Sequence, residues 1–244
     1  MSHQYLAIDL GAESGRAMLA DLSGHLLKLQ EVHRFPNVPV NLPTGLYWNT
    51  MGLFQEILEG LRAAGRLTAR LESVAVDTWG VDFGLLGADG ALIDNPRHYR
   101  DPRTVGLPEA MFATVPRAEI FAATGIQFME LNSLYQLWAV LRQSPWLLQN
   151  AKALLFMPDL FNYFLCGTIA SERTIARRRS STIQRAASSP RSWSRSWESG
   201  PISSPVWSTP ESDWARCARE WRRPAVCHAR RRCIPPPATI PRRQ

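Results

Sequence analysis

The 244 residues carry 28 Lys and Arg against 21 Asp and Glu, a net charge of +7, on a length that suits one large or two small domains. That average conceals two unlike regions. Residues 1–170 hold 12 basic and 16 acidic side chains, net −4, whereas 171–244 hold 16 basic and 5 acidic, net +11, with no Lys, half of the 18 prolines and three of the four cysteines. No apolar run reaches the roughly 18 residues of a membrane-spanning helix. Met1-Ser2-His3-Gln4 offers no charged segment leading into an apolar one, so a cytoplasmic location is expected. Cys166 reads as a small core residue, and Cys217, Cys227, His228 and Cys233 do not repeat the paired Cys-x2–4-Cys of a structural zinc site.

In chain order, Tyr5 to Leu10 is a short apolar strand ending in a Gly11-Ala12-Glu13-Ser14-Gly15 turn. Arg16 to Asp21 resumes the extended character and Leu26 to Phe35 makes a third strand, so the chain opens as a meander. A helix follows, capped by Asn49 or Thr50, with Leu53, Phe54, Ile57, Leu58 and Leu61 on one buried face. Leu71 to Asp77 is a buried-type strand leading into Thr78-Trp79-Gly80-Val81-Asp82, and Phe83 to Leu86 with Ala88-Asp89-Gly90 predicts a hairpin. Helices are predicted over 108–123, closed by Gly125, and over 133–143, capped by Asn132 or Ser133. Ala153 to Phe156 is a short strand, and Pro158 starts a helix to Cys166 that Gly167 stops. Strands first, then alternating strand and helix, predict an α/β layered fold.

Two motifs carry chemistry. In Ile8-Asp9-Leu10-Gly11-Ala12-Glu13-Ser14-Gly15-Arg16, a carboxylate at a strand end precedes a glycine-rich turn. Such a turn sets a hard oxygen ligand for hydrated Mg²⁺ beside backbone N–H groups able to face phosphate oxygens. Ser14 adds a hydroxyl, and Arg16 a permanent charge suited to phosphate. A plain hairpin with an Asp-started turn fits the same residues equally well. In Asp77-Thr78-Trp79-Gly80-Val81-Asp82 a second acidic strand end adjoins a glycine that admits close approach, with an aromatic face for a sugar ring. Tyr99-Arg100-Asp101 suits a loop that orients a polyol. His3, His25, His33 and His98 form no cluster with Cys or acidic residues and read as surface or strand histidines.

These residues carry a resemblance. Asp9-Leu10-Gly11 with Ser14-Gly15-Arg16, Asp77 to Phe83, Tyr99-Arg100-Asp101 with Arg103-Thr104, Asn132 to Leu137 and Pro158-Asp159 together resemble the N-terminal domain of the FGGY carbohydrate kinases over residues 4–176. The motifs are closest to members acting on L-rhamnulose, with another ketose or polyol as the alternative. The resemblance implies an actin-like, ribonuclease H-like ATPase fold of two domains around a cleft. It implies transfer of the γ-phosphoryl group of ATP to a ketose hydroxyl with Mg²⁺. It matches Asp9, Gly11, Ala12, Glu13, Ser14, Gly15 and Arg16 to the ATP phosphates, with Asp9 near the metal through water, and Trp79, Gly80, Asp82, Tyr99 and Arg100 to the sugar. Glu13 departs from the small hydroxylated residue common there and would repel triphosphate unless it pointed away. The family's general base, the Asp of a His-Asp-Thr motif, does not occur in these 244 residues, so the chain by itself is expected to be inactive.

The tail, 177–244, has no hydrophobic period, and its Arg, Ser and Pro bias suits a GC-rich gene read out of frame; disorder is expected there. Codons exist for Arg177 to Gln184 that, read from the third base of each preceding codon, give Ser-Thr-Thr-Gln-Leu-Tyr-Asp-Pro. Those for Ala238 to Arg243 likewise give His-Asp-Thr-Ala-Ala, and both strings stand where the family places them. The rival reading makes Ser189 to Ser196, Ser-Pro-Arg-Ser-Trp-Ser-Arg-Ser, a nucleic-acid-binding arm, but the absence of Lys and the hidden family strings count against it. The expected partners are therefore ATP and a small sugar, with no membrane or nucleic acid.

Overall fold

A computed structural model describes residues 2–172 and 175, and the expectations for 177–244 lie outside the described residues. Three long antiparallel strands open the chain: β1 (Ser2–Leu10), β2 (Ser14–Ser23) and β3 (Leu26–Pro36). After a small hairpin of β4 (Val40–Leu42) and β5 (Gly45–Tyr47), helix α1 (Thr50–Leu67) carries the chain back so that β6 (Ser73–Thr78) pairs parallel to β1. The sheet order is β3-β2-β1-β6. β7 (Phe83–Leu86), β8 (Leu92–Asp94) and the later β9 (Ala153–Phe156) form a second sheet in the order β8-β7-β9. Between β8 and β9 lie a 3₁₀ turn (Pro102–Thr104) and helices α2 (Leu107–Phe112), α3 (Arg117–Thr124), α4 (Ser133–Gln143) and α5 (Pro145–Asn150); α6 (Met157–Cys166) follows β9 directly.

The period-2 alternation of β1 decides which face is buried: Leu6, Ile8 and Leu10 are each 1% exposed, while Asp9 belongs to the opposite face. On the buried face Leu53, Ile57 and Ala64 of α1 meet Ala17, Leu19 and Phe35, in one cluster with Leu160 and Phe161 of α6. α1 begins where Asn49 accepts the Gly52 N–H at 3.2 Å. It lies close on the sheet because position 60 is glycine: a Cβ there would stand 2.8 Å from that of Ala17. Each fully buried Leu or Ile of this cluster contributes about 1.5–3 kcal/mol of transfer free energy.

The helix expected over 108–123 is two helices. Pro116, with φ −57° and ψ 139°, is the N-cap of α3 and not an interior residue. Its ring would clash with the carbonyl four residues back in a continuous helix, so the break falls at Thr114-Val115-Pro116. α5 and the β4–β5 hairpin are additions to the expected elements. Cys166 is partly buried at the end of α6, where Gly167 takes φ +70° as the stop signal requires.

Candidate active site

The candidate residues of the two turns lie at one edge of the first sheet. β1 and β6 run parallel, and their register sets Asp9 beside Asp77 and Leu10 beside Thr78. The turn after β1 and the turn after β6 therefore leave the sheet next to each other, at the carboxyl ends of neighbouring strands where open α/β sheets bind ligands. Asp9 also lies opposite Arg16 on β2. Partners directly opposite share a face, so Asp9, Arg16 and Asp77 stand together on the face away from the core.

Arg16 donates to Asp9 through both Nε (2.9 Å) and Nη2 (2.7 Å), both to Oδ2. Oδ1 of Asp9 has no partner among the described residues. The two side chains are 45% and 48% exposed, so the pair contributes no more than about 1 kcal/mol. The loop between them is fastened within itself and by Asn37, the residue after β3. Gly11 N–H donates to Ser14 O at 2.9 Å, Asn37 Nδ2 to Gly11 O at 2.8 Å and Asn37 N–H to Glu13 O at 2.9 Å. Gly15 packs closely, since a Cβ there would come within 2.3 Å of the Phe35 ring, which would have to shift. Ala12 is half-buried, while Glu13 and Ser14 are exposed. Asn37, 3% exposed, was not legible as part of this site, because its role depends on a cross-strand approach.

The second turn is tighter. Val81 has φ +75°, the one non-glycine positive φ among the described residues, a conformation a β-branched side chain adopts only under constraint. The constraint is visible. Ser133 Oγ donates to Val81 O at 2.6 Å from the start of α4. Asp82 is wholly buried and accepts from Trp48 Nε1 (2.6 Å) and Trp79 Nε1 (3.0 Å) at Oδ2, and from Gln136 Nε2 (2.6 Å) at Oδ1. Burial pushes its carboxyl up to about 6, against the pull of the three donors. Asp82 is thus placed to orient Trp79 and Trp48, and its carboxylate does not reach the surface.

Trp79 stacks on Trp48 at 3.8 Å between ring centroids, Trp48 on His98 at 4.0 Å and His98 on Tyr99 at 4.5 Å. Arg100 lies 5.4 Å over the Tyr99 ring. The column ends in half-buried Trp79 and Tyr99, with Gly80 in the turn beside it and Arg100 exposed. His98 is not the surface residue expected of it: it is 4% exposed. Burial and the neighbouring Arg100 hold it down to about 4, and its neutral Nδ1 accepts the Arg100 N–H at 3.0 Å. Trp48 and Gln136 complete the assembly from 34 and 54 residues away in sequence.

Asp159, from the Pro-Asp motif, is 1% exposed. Its two oxygens accept the Glu172 N–H at 3.2 and 3.3 Å. Burial raises its carboxyl to about 7 in spite of that bond, and the Glu172 charge adds to the rise.

The charged edge suits a hydrated cation better than a protein-made cage. Among the described residues no group of three or more His, Cys, Asp or Glu side chains converges as metal ligands. Asp9 with Asp77 beside it instead fits Mg²⁺, which keeps several waters and is held by one or two carboxylates plus substrate phosphates. No helix of the described residues is long and apolar enough to cross a membrane.

Comparison with known proteins identifies the family and the fold. The profile of the N-terminal domain of the FGGY family of carbohydrate kinases matches residues 4–184, eight residues past the expected boundary at 176. A rhamnulokinase of Bacteroides thetaiotaomicron is 43% identical over 176 residues, covering 72% of this chain and 36% of the relative. One of Oceanobacillus iheyensis is 38% identical over 171 residues, 70% and 36% of the two chains. Among solved structures, gluconate kinase of Lactobacillus acidophilus superposes with a TM-score of 0.64 at 13% identity, covering 73% and 36%. A carbohydrate kinase of Novosphingobium aromaticivorans does so at 0.58 and 26% identity, covering 72% and 37%. The chain spans about a third of the length of the curated relatives it matches. With the profile covering most of the chain and the fold shared with sugar kinases of actin-like architecture, the chain belongs to the FGGY family of carbohydrate kinases, and what it carries is that family's N-terminal domain.

Proposed function

We propose that this domain is the sugar-seating part of an ATP-dependent ketose kinase that phosphorylates L-rhamnulose at its primary hydroxyl. The observation that carries the reading is the adjacency of the two turns. The Gly11 to Arg16 loop and the Trp79–Gly80 turn leave neighbouring parallel strands whose ends are paired by Asp9 and Asp77. The names and identities of the rhamnulokinase relatives support the choice of sugar.

In this reading the loop N–H groups, Ser14 and Arg16 meet the phosphate oxygens of ATP, with Arg16 released from Asp9 as the anion arrives. Asp9, through water, would hold Mg²⁺, and Mg²⁺ when bound neutralises charge on the transferring phosphoryl group. Gly80 lets the sugar approach the backbone, Trp79 and Tyr99 pack its ring, and Arg100 reaches its hydroxyls. Asp82 acts through the two indoles. Phosphoryl transfer depends mainly on positioning and charge neutralisation, with a base for the hydroxyl proton. That base, the Asp of His-Asp-Thr, is absent from the 244 residues, so the chain alone turns over no sugar. The out-of-frame reading of 177–244 accounts for its loss.

The test is ADP release from Mg-ATP with L-rhamnulose. The 244-residue chain stays at background, and the full-length, two-domain product obtained with the frame restored after Ala176 releases ADP in proportion to sugar. Sugar-dependent release by the unrepaired chain contradicts the claim of inactivity. None from the full-length repaired product contradicts the kinase reading.

A further inference from the structure

The Trp79–Gly80 turn and the Tyr99–Arg100 segment come from different parts of the chain, and one buried side chain of α4 joins them. Gln136 Nε2 donates to Asp82 Oδ1 at 2.6 Å and to Leu131 O at 3.0 Å, while its Oε1 accepts Arg103 Nη2 at 2.7 Å. Of the Arg103 guanidinium, Nη2 alone makes a hydrogen bond among the described residues, and Asp101 Oδ1 pairs with Nη1 at 3.4 Å. Asp101 also accepts the backbone N–H groups of Arg103 (3.1 Å) and Leu46 (2.7 Å). Two residues after Leu46, Trp48 returns to Asp82 through Nε1 at 2.6 Å. The bonds thus close a ring through Asp82, Gln136, Arg103, Asp101 and the Leu46–Trp48 stretch. Trp79 and Gly80 stand just before one corner of it, Asp82, and Tyr99 and Arg100 just before another, Asp101.

The chemistry of the two neighbours explains why an amide occupies position 136. An ionised carboxylate only accepts and a guanidinium only donates, so the group between Asp82 and Arg103 must donate on one side and accept on the other. The Gln136 amide does both without a charge, and it is 2% exposed. Glutamate would set a second carboxylate against Asp82, and leucine would leave a buried donor and a buried acceptor unmet. The Gly11 to Arg16 loop is held separately, by Asn37 and by its own backbone. We propose that Gln136 is a positioning residue of the sugar site, fixing the Trp79–Gly80 turn relative to Tyr99 and Arg100 and so governing sugar affinity without touching the sugar. The proposal rests on the kinase reading for the identity of the ligand.

The test uses the full-length, two-domain product with the frame restored, at pH 8. Gln136→Leu is expected to raise the KM for L-rhamnulose roughly tenfold, with kcat and the KM for ATP changed by less than about twofold. Arg103→Lys keeps the charge beside Asp101 but not the planar fork; it is expected to act in the same direction with a smaller effect, which keeps the test available if Gln136→Leu does not fold. Ile57→Val, in the fully buried core face of α1, loosens the fold elsewhere and is expected to leave the sugar KM unchanged. In the 244-residue chain, Gln136→Leu is expected to speed amide exchange at Leu46 and Arg103 and not in β1. A sugar KM unchanged in both ring variants, a fall in kcat alone, or an equal KM shift from Ile57→Val overturns the positioning role. A parent enzyme without sugar turnover sinks the kinase reading instead, and exchange then decides the ring by itself: unchanged rates at Leu46 and Arg103 overturn it.

Discussion

Replacing Trp48 by Phe tests the buried assembly behind the Trp79–Gly80 turn. The substitution keeps an aromatic ring on Trp79 but deletes the Nε1–H that reaches Asp82 at 2.6 Å. A hydrogen bond to a charged acceptor is worth about 1.5–3 kcal/mol and one to a neutral acceptor about 0.5–1.5, and the smaller ring adds a packing loss of roughly 1 kcal/mol. At pH 8 the Asp82 carboxyl, which titrates at about 6, is ionised, and the total loss is about 3 kcal/mol. At pH 5 it is mostly protonated, and the loss falls by about 1 kcal/mol. The sign follows from linkage. Removing a donor that lowers the Asp82 pKa raises it further, so the folded variant retains its proton to higher pH than the unfolded chain. Its stability relative to the parent then falls as pH rises through about 6. Thermal melts at the two pH values, followed by near-ultraviolet circular dichroism, report it directly. The Tm deficit should be larger at pH 8 by about 2–4 °C for a domain of this size. An equal deficit at both pH values, or a larger one at pH 5, refutes the role given to the indole.

Other substitutions probe the remaining joints. Asp159 is raised from 3.8 to about 7, so the folded chain keeps a proton the unfolded chain has lost. Stability therefore declines from about pH 4 to pH 7, by at most about 4 kcal/mol. Urea unfolding of Asp159→Asn should lose most of that slope, and an unchanged slope contradicts the assignment. Gly15→Ala, with its new Cβ facing the Phe35 ring, should cost about 1–3 kcal/mol in urea unfolding; a neutral result means that Phe35 gives way. Asn37→Ala removes the bond to Gly11 O and should cost about 1–2 kcal/mol, with faster amide exchange at Gly11. Exchange unchanged there means that the Asn37 side chain does not hold the loop. In the frame-restored kinase, Asp9→Asn should lower kcat more than it weakens sugar binding, and a bulky residue at Gly80 should mainly raise the sugar KM. The reverse pattern exchanges the two roles.

What the sequence made legible was local. α1 is readable because its cap, its buried face and its length coincide in one stretch, and β1 because apolar residues alternate around Asp9. The same reasoning carried one helix through Pro116, where periodicity on both sides concealed a backbone that cannot continue. At the site, the residue types of both turns were readable but their bonding was not. Asp82 looks like a sugar ligand in a run of six residues. Trp48 and Gln136, which occupy its oxygens, arrive from an earlier loop and a later helix. His98 is another case, isolated by sequence and packed into an aromatic column in three dimensions. Asn37 carried no signal, because its burial and its bonds to the Gly11 to Gly15 loop exist only after folding.

The choice of sugar is the central claim, and a specificity comparison tests it most directly. The frame-restored kinase, given Mg-ATP with L-rhamnulose, D-xylulose or gluconate in turn, is predicted to show its highest kcat/KM with L-rhamnulose. A higher value for D-xylulose or gluconate would contradict the account of the sugar while leaving the kinase family intact.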